Sequence, residues 1–402
     1  MNFILFDDPA ARVNLLPFTF TRPVAAIRTG ILTIAEKWEK LLQQPISYST
    51  ETYLSKKYTL QLTTDNVWIN GAVCPDEELV KAILQLKTGE GFFYNARIIA
   101  VRTPDDEVPE VINGTVSEWK QPIILIDQVW KIFQNNGAQI RADFKLITQG
   151  RKSVPITDIH TRVYKEENIF LEEGAKVTAA VLNADNGPIY IGKNATVQEG
   201  ALVRGPFALC DESHINMGAK IRGDVTVGPY SKVGGEVSAS VVFGNSNKSH
   251  DGFLGCSVIG EWCNLGADSN TSNLKNNYDN VKVWNYGRKE FVDSGLMFCG
   301  LMLGDHSKCS INTMFNTGTV AGVSANIFGD GFPPTLIPSF SWGGSAGYAT
   351  YQLAKAFETA TRAMARRAVP FDEQEQEILQ HVYILTSAER NWEKNSQLSI
   401  DP

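Results

Sequence analysis

The chain has 402 residues, 43% of them hydrophobic, and 37 basic against 44 acidic side chains give it a net charge of −7. That is enough for two or three domains with their own cores, and the acidic balance excludes a basic surface for nucleic-acid backbones. No run approaches the roughly 20 apolar residues that cross a bilayer, and six scattered cysteines without a CxxC pair fit reduced thiols in a cytoplasmic protein.

The opening Met1–Phe6 (MNFILF) lacks the basic stretch and long apolar segment of a signal peptide and reads as a first buried strand. Up to residue 150, short apolar runs (Phe3–Phe6, Val67–Ile69, Ile98–Val101, Ile123–Ile126) alternate with amphipathic stretches at Ile31–Leu42 and Glu77–Leu86. Strands alternating with helices predict an α/β sandwich.

Residues 151–340 follow a different rule. Ile191, Val197, Val203, Leu209, Ile215, Ile221, Val227 and Val233 stand six apart. No helix and no alternating strand has that period; a coil of flat faces, one short strand to a face, does. Four residues after each aliphatic the side chain is mostly small (Ala195, Ala201, Ser213, Ala219, Ser231; Phe207 is the exception), as a narrow prismatic core requires. Gly192, Gly228 and Gly234 follow the aliphatic directly, where turns call for permissive backbone. The register returns at Ile259 and Leu265 and again at Leu303, Cys309, Phe315, Ala321 and Ile327. This predicts a parallel β-helix of hexapeptide repeats. Two polar interruptions, 236–256 and 270–298, read as loops extruded from it, and loops on a rigid scaffold commonly carry function.

Residues 341–402 form a C-terminal helical tail: Ala349–Ala368, stopped by Pro370, then a second helix from Glu373. Arg362, Arg366 and Arg367 near the end of the first helix fit a solvated face and the helix dipole.

Within the first interruption His250 stands on a polar stretch. A neutral imidazole there can take a proton from an amine or hydroxyl, or serve as a hydrogen-bonded turn residue. Asparagines in both interruptions can hold sugar hydroxyls.

From Arg222 to Asp279 the chain resembles the acetyltransferase half of the bifunctional N-acetylglucosamine-1-phosphate uridyltransferase/glucosamine-1-phosphate acetyltransferase family. His250-Asp251-Gly252-Phe253-Leu254-Gly255 keeps that family's histidine-to-glycine spacing, and Asn264-Leu265-Gly266-Ala267 matches its asparagine run. The resemblance implies a left-handed coil, His250 as catalytic base, and Asn264 with Asn273 or Asn277 on the sugar. Asn277 comes from matching the Asn277-Tyr278-Asp279 triplet, which brings Tyr278 with it. Arg222 falls on the phosphate-binding arginine. The family's phosphate lysine falls on Ser240, so Lys248 becomes the candidate replacement, and Phe253 stands where the family has tyrosine.

The first 150 residues resemble sugar-1-phosphate nucleotidyltransferases, which implies a shortened Rossmann-like, nucleotidyltransferase-like α/β domain. The order strand, arginine, Leu16-Pro17 and Arg22-Pro23 survives, leaving Arg12, Arg22 and Arg28 as phosphate contacts or as surface and capping arginines. The phosphate-cradling glycine loop has become Asp7-Asp8-Pro9-Ala10-Ala11, the lysine after the proline is Val24, and the Mg²⁺-holding Asn-Gly-Asp reads Asn70-Gly71-Ala72. The whole-chain order is similar to Bacteroidetes-type proteins related to the bifunctional family.

These resemblances imply acyl transfer from acetyl-CoA to an amino-sugar phosphate or a nucleotide-linked amino sugar. No resident metal is needed, the pantetheine would lie along the coil near Gly318–Gly322, and a homotrimer would have the interruptions completing a neighbour's pocket. The alternatives are sugar-1-phosphate nucleotidyl transfer with NTP and Mg²⁺, or a non-catalytic sugar-nucleotide-binding protein.

Overall fold

The structure, a computed structural model, describes residues 1–108 and 115–393. Two compact units share the chain: Met1–Arg28 with Leu32–Val129, and Thr29–Ile31 with the chain from Trp130 on. The division falls at Val129 rather than at 150, because helix Asn136–Thr148 lies on the solenoid of the second unit. There Asn136 donates to the Asp224 carbonyl (2.9 Å) and Arg141 to that of Asn186 (2.6 Å).

The first unit is built on a six-stranded mixed sheet. Strand Asn2–Phe6 runs parallel to Ile46–Ser49 on one side and to Asn66–Asn70 on the other. Arg97–Thr103 continues the sheet antiparallel, followed by Gly91–Tyr94 and the edge strand Val116–Glu118. The stripe expected over Ile31–Leu42 becomes helix Ile34–Leu42. Thr33 starts it with a capping box: its hydroxyl accepts from Glu36 N, and the Glu36 carboxylate accepts from Thr33 N. Ile31 is lost to the helix because its N–H donates to Asp143 in the second unit (2.8 Å). Trp38 and Ile34 are buried, and the Trp38 indole N–H reaches the Val73 carbonyl.

The second unit is a parallel β-solenoid followed by helices. Three sheets form its faces, two of them running its length and the third ending at Phe253–Gly255. One begins at Ile169–Leu171, the second at Lys176–Val177 and the third at Arg162–Tyr164. They are called here the covered face, the groove face and the open face, in that order. All eight aliphatics of the hexad series are at most 2% exposed, and Ser213 and Ser231, at the small inward position, are sealed as well. Each such side chain removed from water contributes about 1.5–3 kcal/mol, so stacking the coils drives the fold.

Gly192, Gly228 and Gly234 are needed for a reason other than the one expected. None of them has the left-handed φ that would demand glycine. A Cβ on Gly228 would land on the Phe243 carbonyl and one on Gly234 on the Ser249 carbonyl, both in the next coil. Close stacking, rather than turn geometry, excludes a side chain there.

The first interruption is not an extruded loop. Residues 236–256 form an in-register coil of strands Glu236–Ser238, Val241–Gly244, Asn247–Lys248 and Phe253–Gly255. Its inward residues, Val237, Val242, Lys248 and Leu254, stand five or six apart, so the coil is shortened rather than broken. The second interruption does leave the solenoid. Asn270–Thr271 stays paired with Met314–Phe315, and the chain then runs out into hairpin Lys282–Asn285/Glu290–Asp293 before returning at Met302.

The covered face lies under helix Asn136–Thr148 and the Thr29–Ile31 segment. Thr226 donates to the Gly30 carbonyl (2.9 Å), and the Asn136 side-chain oxygen accepts from Gly30 N (2.7 Å). The tail begins later than expected: Gly347–Thr350 pairs as a hairpin with Ser341–Gly344, so the helix runs Leu353–Ala365, followed by Glu373–Leu385.

Candidate active site

The groove face carries an outward column of residues, one to a coil: His214, Lys232, Asn247, Asn264 and Lys308. The end of helix Leu353–Ala365 and the residues after it come back over this column. Together they enclose a groove of about 610 Å³ lined by Lys232, Asn247, His250, Trp262, Asn264, Lys308, Arg366 and Arg367, among others. Arg367 is tied down by a bond from its guanidinium to the Asn247 side-chain oxygen at 3.3 Å.

His250 stands at the corner where the chain turns from the groove face to the open face, between Asn247–Lys248 and Phe253–Gly255. Its side chain is exposed and makes no hydrogen bond or ion pair among the described residues. The corner itself is rigid: Cβ atoms on Gly235 and Gly252 would run into the backbone of adjacent coils. An imidazole on a fixed backbone, beside a polar groove and with no competing partner, is suited to accepting a proton from a bound nucleophile.

The structure brings His250 and Asn264 together in the groove and places the other candidates elsewhere. Arg222 lies on the open face, paired with Glu236 at 3.0 Å, beside Arg204 and Lys220 in a separate depression of about 450 Å³. Asn273 is also on that side, its amide 3.5 Å from the Cys256 sulfur. Asn277 bonds Asp279 within an exposed turn whose next residue, Tyr278, is 65% exposed with a left-handed φ of 60°.

Lys248 does not face a ligand. It occupies an inward hexad position opposite Val233 and is 3% exposed. Its ammonium donates to the carbonyls of His250 (2.6 Å) and Asp251 (2.9 Å). Burial pushes its pKa down to about 8, against the pull of Asp251 and Asp268. It cannot contact a substrate phosphate from inside the prism; it holds the His250 corner from beneath. The expected CoA position near Gly318–Gly322 is also closed. A Cβ on Gly318 would meet Lys282 backbone, one on Gly322 would meet Ser339, and Thr319, Val320 and Ala321 are buried.

In the first unit the candidate nucleotide contacts lie inside the protein. Arg12, 7% exposed, spends its guanidinium on Asp7 (2.8 Å), the Thr19 carbonyl (2.7 Å) and the Tyr53 hydroxyl (3.0 Å). Arg22 is 3% exposed, and Arg28 is buried 3.6 Å from the Glu36 carboxylate. Asn70 is buried with its amide donating to the Ile98 carbonyl and its oxygen accepting from Ala72 N. Nor do these residues fit a Mg²⁺–nucleotide: Asp7 is engaged by Arg12, Thr50 and Val24 N, and Asp8 caps the helix after it.

Sequence reasoning missed Trp262, Lys232 and Lys308, and it left Arg366 and Arg367 on a solvated face. The six-residue register carried the signal for the two lysines, since Lys232 immediately precedes inward Val233 and Lys308 precedes inward Cys309. Nothing local marks the arginines, because the fold-back of the tail places them.

Residues 3–152 match the family model for sugar nucleotidyl transferase. The bifunctional protein GlmU of Methanococcus aeolicus is 34% identical over 87 residues, 22% of this chain and 20% of that protein. The bifunctional sugar-1-phosphate nucleotidylyltransferase/acetyltransferase of Sulfurisphaera tokodaii is 26% identical over 144 residues, 35% of each chain. Among solved structures, Arabidopsis UDP-N-acetylglucosamine acyltransferase aligns at 13% identity and a TM-score of 0.25, over 58% of this chain and 91% of that one. The matched segments span between 20% and 35% of the length of the two bifunctional relatives. Residues 3–152 are thus similar to sugar nucleotidyl transferases, and shorter stretches of the chain to GlmU-type bifunctional proteins.

Proposed function

We propose that the second unit transfers an acetyl group from acetyl-CoA to the amine of an amino-sugar phosphate or a nucleotide-linked amino sugar. The observation that carries the reading is the pairing of His250, an unpartnered imidazole on a rigid corner, with Asn264 in a cationic groove. The His250 imidazole takes a proton from the substrate nitrogen as that nitrogen bonds to the thioester carbon. The C–S bond then breaks, and the proton passes to the departing CoA thiolate. Asn264 offers both donor and acceptor groups to the sugar. On the open face around the same corner, Arg222 lies two rungs, about 10 Å, from Gly255, against which the Asn273 amide packs. Arg222 and Asn273 suit contact with a substrate reaching the corner from that side, as in a homotrimer with sites between neighbouring coils. The cytoplasm, where acetyl-CoA and free thiols coexist, is the compartment that goes with this reading.

A second reading, nucleotidyl transfer by residues 3–152 with NTP and Mg²⁺, is favoured by the family match. The internal engagement of Arg12, Asp7 and Asn70 speaks against it.

One assay separates the two: the full chain with acetyl-CoA and amino-sugar phosphates or nucleotide amino sugars, followed by thiol release, beside pyrophosphorolysis with Mg²⁺. The acyl-transfer reading expects thiol release that falls about 10²–10⁴-fold in His250→Asn, the usual worth of a general base. It also expects pyrophosphorolysis far below the 1–10³ s⁻¹ of competent enzymes. Thiol release unchanged in His250→Asn removes His250 as base, and fast pyrophosphorolysis moves the activity to the first unit.

A further inference from the structure

The groove gathers Lys232, Lys308, Arg366 and Arg367 around one cavity. None of the four makes an ion pair among the described residues. Cations without an ion pair occur elsewhere, as at Arg204 and Lys220, but here four converge on one cavity whose lining residues include no carboxylate. Arg362, one turn earlier on the same helix, pairs with Glu358 at 3.7 Å, Arg390 with Glu393 at 2.7 Å and Arg222 with Glu236 at 3.0 Å.

The spacing narrows the ligand. Lys232 and Lys308 bracket the Asn247 and Asn264 rungs of one parallel sheet, so their backbones lie three rungs apart, about 14 Å. Arg367 is anchored over the middle of that span by Asn247, and Arg366 stands beside it. A single phosphate fills only part of such a span, whereas a diphosphate with its ribose matches it. At one corner Trp262 lines the groove, held in place by stacking on His306 with ring centres 6.3 Å apart and planes 17° apart. An indole beside a row of cations suits a nucleobase. Like charges crowd this groove: Arg367 is pushed down by burial and by Arg366, and His214 by burial, Lys232 and Arg367 against the pull of Glu212.

We propose that this groove is a nucleoside-diphosphate site, half of it built by the C-terminal helix, in which Arg366 and Arg367 with Lys232 and Lys308 hold the diphosphate and Trp262 stacks on the base. It deepens the acyl-transfer reading and rests on it only for the chemistry that follows binding. Two molecules offer the same group, a nucleotide-linked sugar acceptor and the adenosine diphosphate portion of CoA.

Calorimetric titration of the full chain with UDP, ADP, CoA, UMP and inorganic phosphate is the test. UDP or ADP should bind at least about tenfold tighter than UMP and inorganic phosphate. The Arg366→Ala/Arg367→Ala double variant should lose about 10- to 100-fold, the worth of charge-assisted phosphate bonds, and affinity should fall with salt. Arg362→Ala, one turn away and outside the groove, controls for folding and should keep wild-type affinity. UDP much tighter than ADP and CoA assigns the acceptor, and the reverse assigns the donor. Neither UDP nor ADP binding more tightly than UMP and inorganic phosphate, or a double variant binding like wild type, overturns the site. Diphosphate binding without acyl transfer leaves the site standing and removes the reaction, whereas acyl transfer without diphosphate binding removes this site alone.

Discussion

Lys248 is the one charged residue in the hexad series of inward positions, and replacing it with methionine separates its two effects. The ammonium is held in the prism 2.6 and 2.9 Å from the His250 and Asp251 carbonyls. Burial lowers its pKa from the ordinary 10.5 to about 8, a penalty of ~3 kcal/mol on the charged form. A lysine whose folded pKa is depressed carries that penalty in full below pH 8 and sheds it as pH rises towards 10.5, because the unfolded chain then binds a proton that the folded chain does not. Between pH 7.5 and 10 the wild type should therefore gain ~2 kcal/mol relative to Lys248→Met. Asp251, Asp268 and the Cys309 thiol are the groups that act on the ammonium, and they are common to both proteins. Methionine removes the buried charge but strands two carbonyls at about 1–3 kcal/mol each, so near pH 7 the variant should sit within ~3 kcal/mol of wild type.

The readout is the denaturant midpoint of the solenoid transition in both proteins at pH 7.5 and 10. A difference that does not move with pH refutes the buried-ammonium argument. The same variant should lower kcat of the acyl transfer while leaving nucleotide affinity in place, because what it loses is the support under His250 and not a ligand contact. Unchanged kcat would mean that the corner holds itself.

Two further outcomes follow from the stacking of the coils. Gly228→Ala puts a methyl on the Phe243 carbonyl of the next coil and should cost about 1–3 kcal/mol, read as a lowered melting temperature, whereas Gly218→Ala, whose Cβ meets nothing, should cost less despite the left-handed φ of 69° there; equal losses would contradict the steric account. The open face, where Leu202 is 50% exposed between Arg204 and Lys220, should close in a trimer. Sedimentation equilibrium showing a monomer across a wide concentration range would count decisively against that.

The solenoid was legible because a prism has only two inward positions per hexad, and nothing else in the chain obeys that period. The coil at 236–256 escaped detection for two physical reasons. Its steps shrink to five between Val237 and Val242 and between Leu254 and Ile259, and one inward position is filled by a lysine whose charge made it look like surface. The nucleotide-site arginines misled in the opposite direction. Arg12 and Arg28 are internal because Asp7, Glu51 and Glu36 meet them from separate segments, and such partners are invisible until the chain is folded. Residue type alone cannot tell a phosphate ligand from a buried ion pair.

The same asymmetry explains why half of the candidate site was found and half was not. His250, Asn264, Lys232 and Lys308 all take their positions from the coil register, so a pattern of six could in principle assign each to a face. Arg366 and Arg367 owe theirs to a helix that returns across the coils, and their only register-like tie is the bond to Asn247. A solenoid offers three flat faces that are alike at the level of sequence, and what lies on each one decides its chemistry. Here helix Asn136–Thr148 silences one face, and the tail turns the second into a cationic groove. Among the described residues no helix covers the third, and His250 stands at the edge between it and the groove. On the acyl-transfer reading proposed above, a ligand held along the groove has to present its reactive end at that corner. On the same reading, the length of the cationic span decides which amine would reach the imidazole.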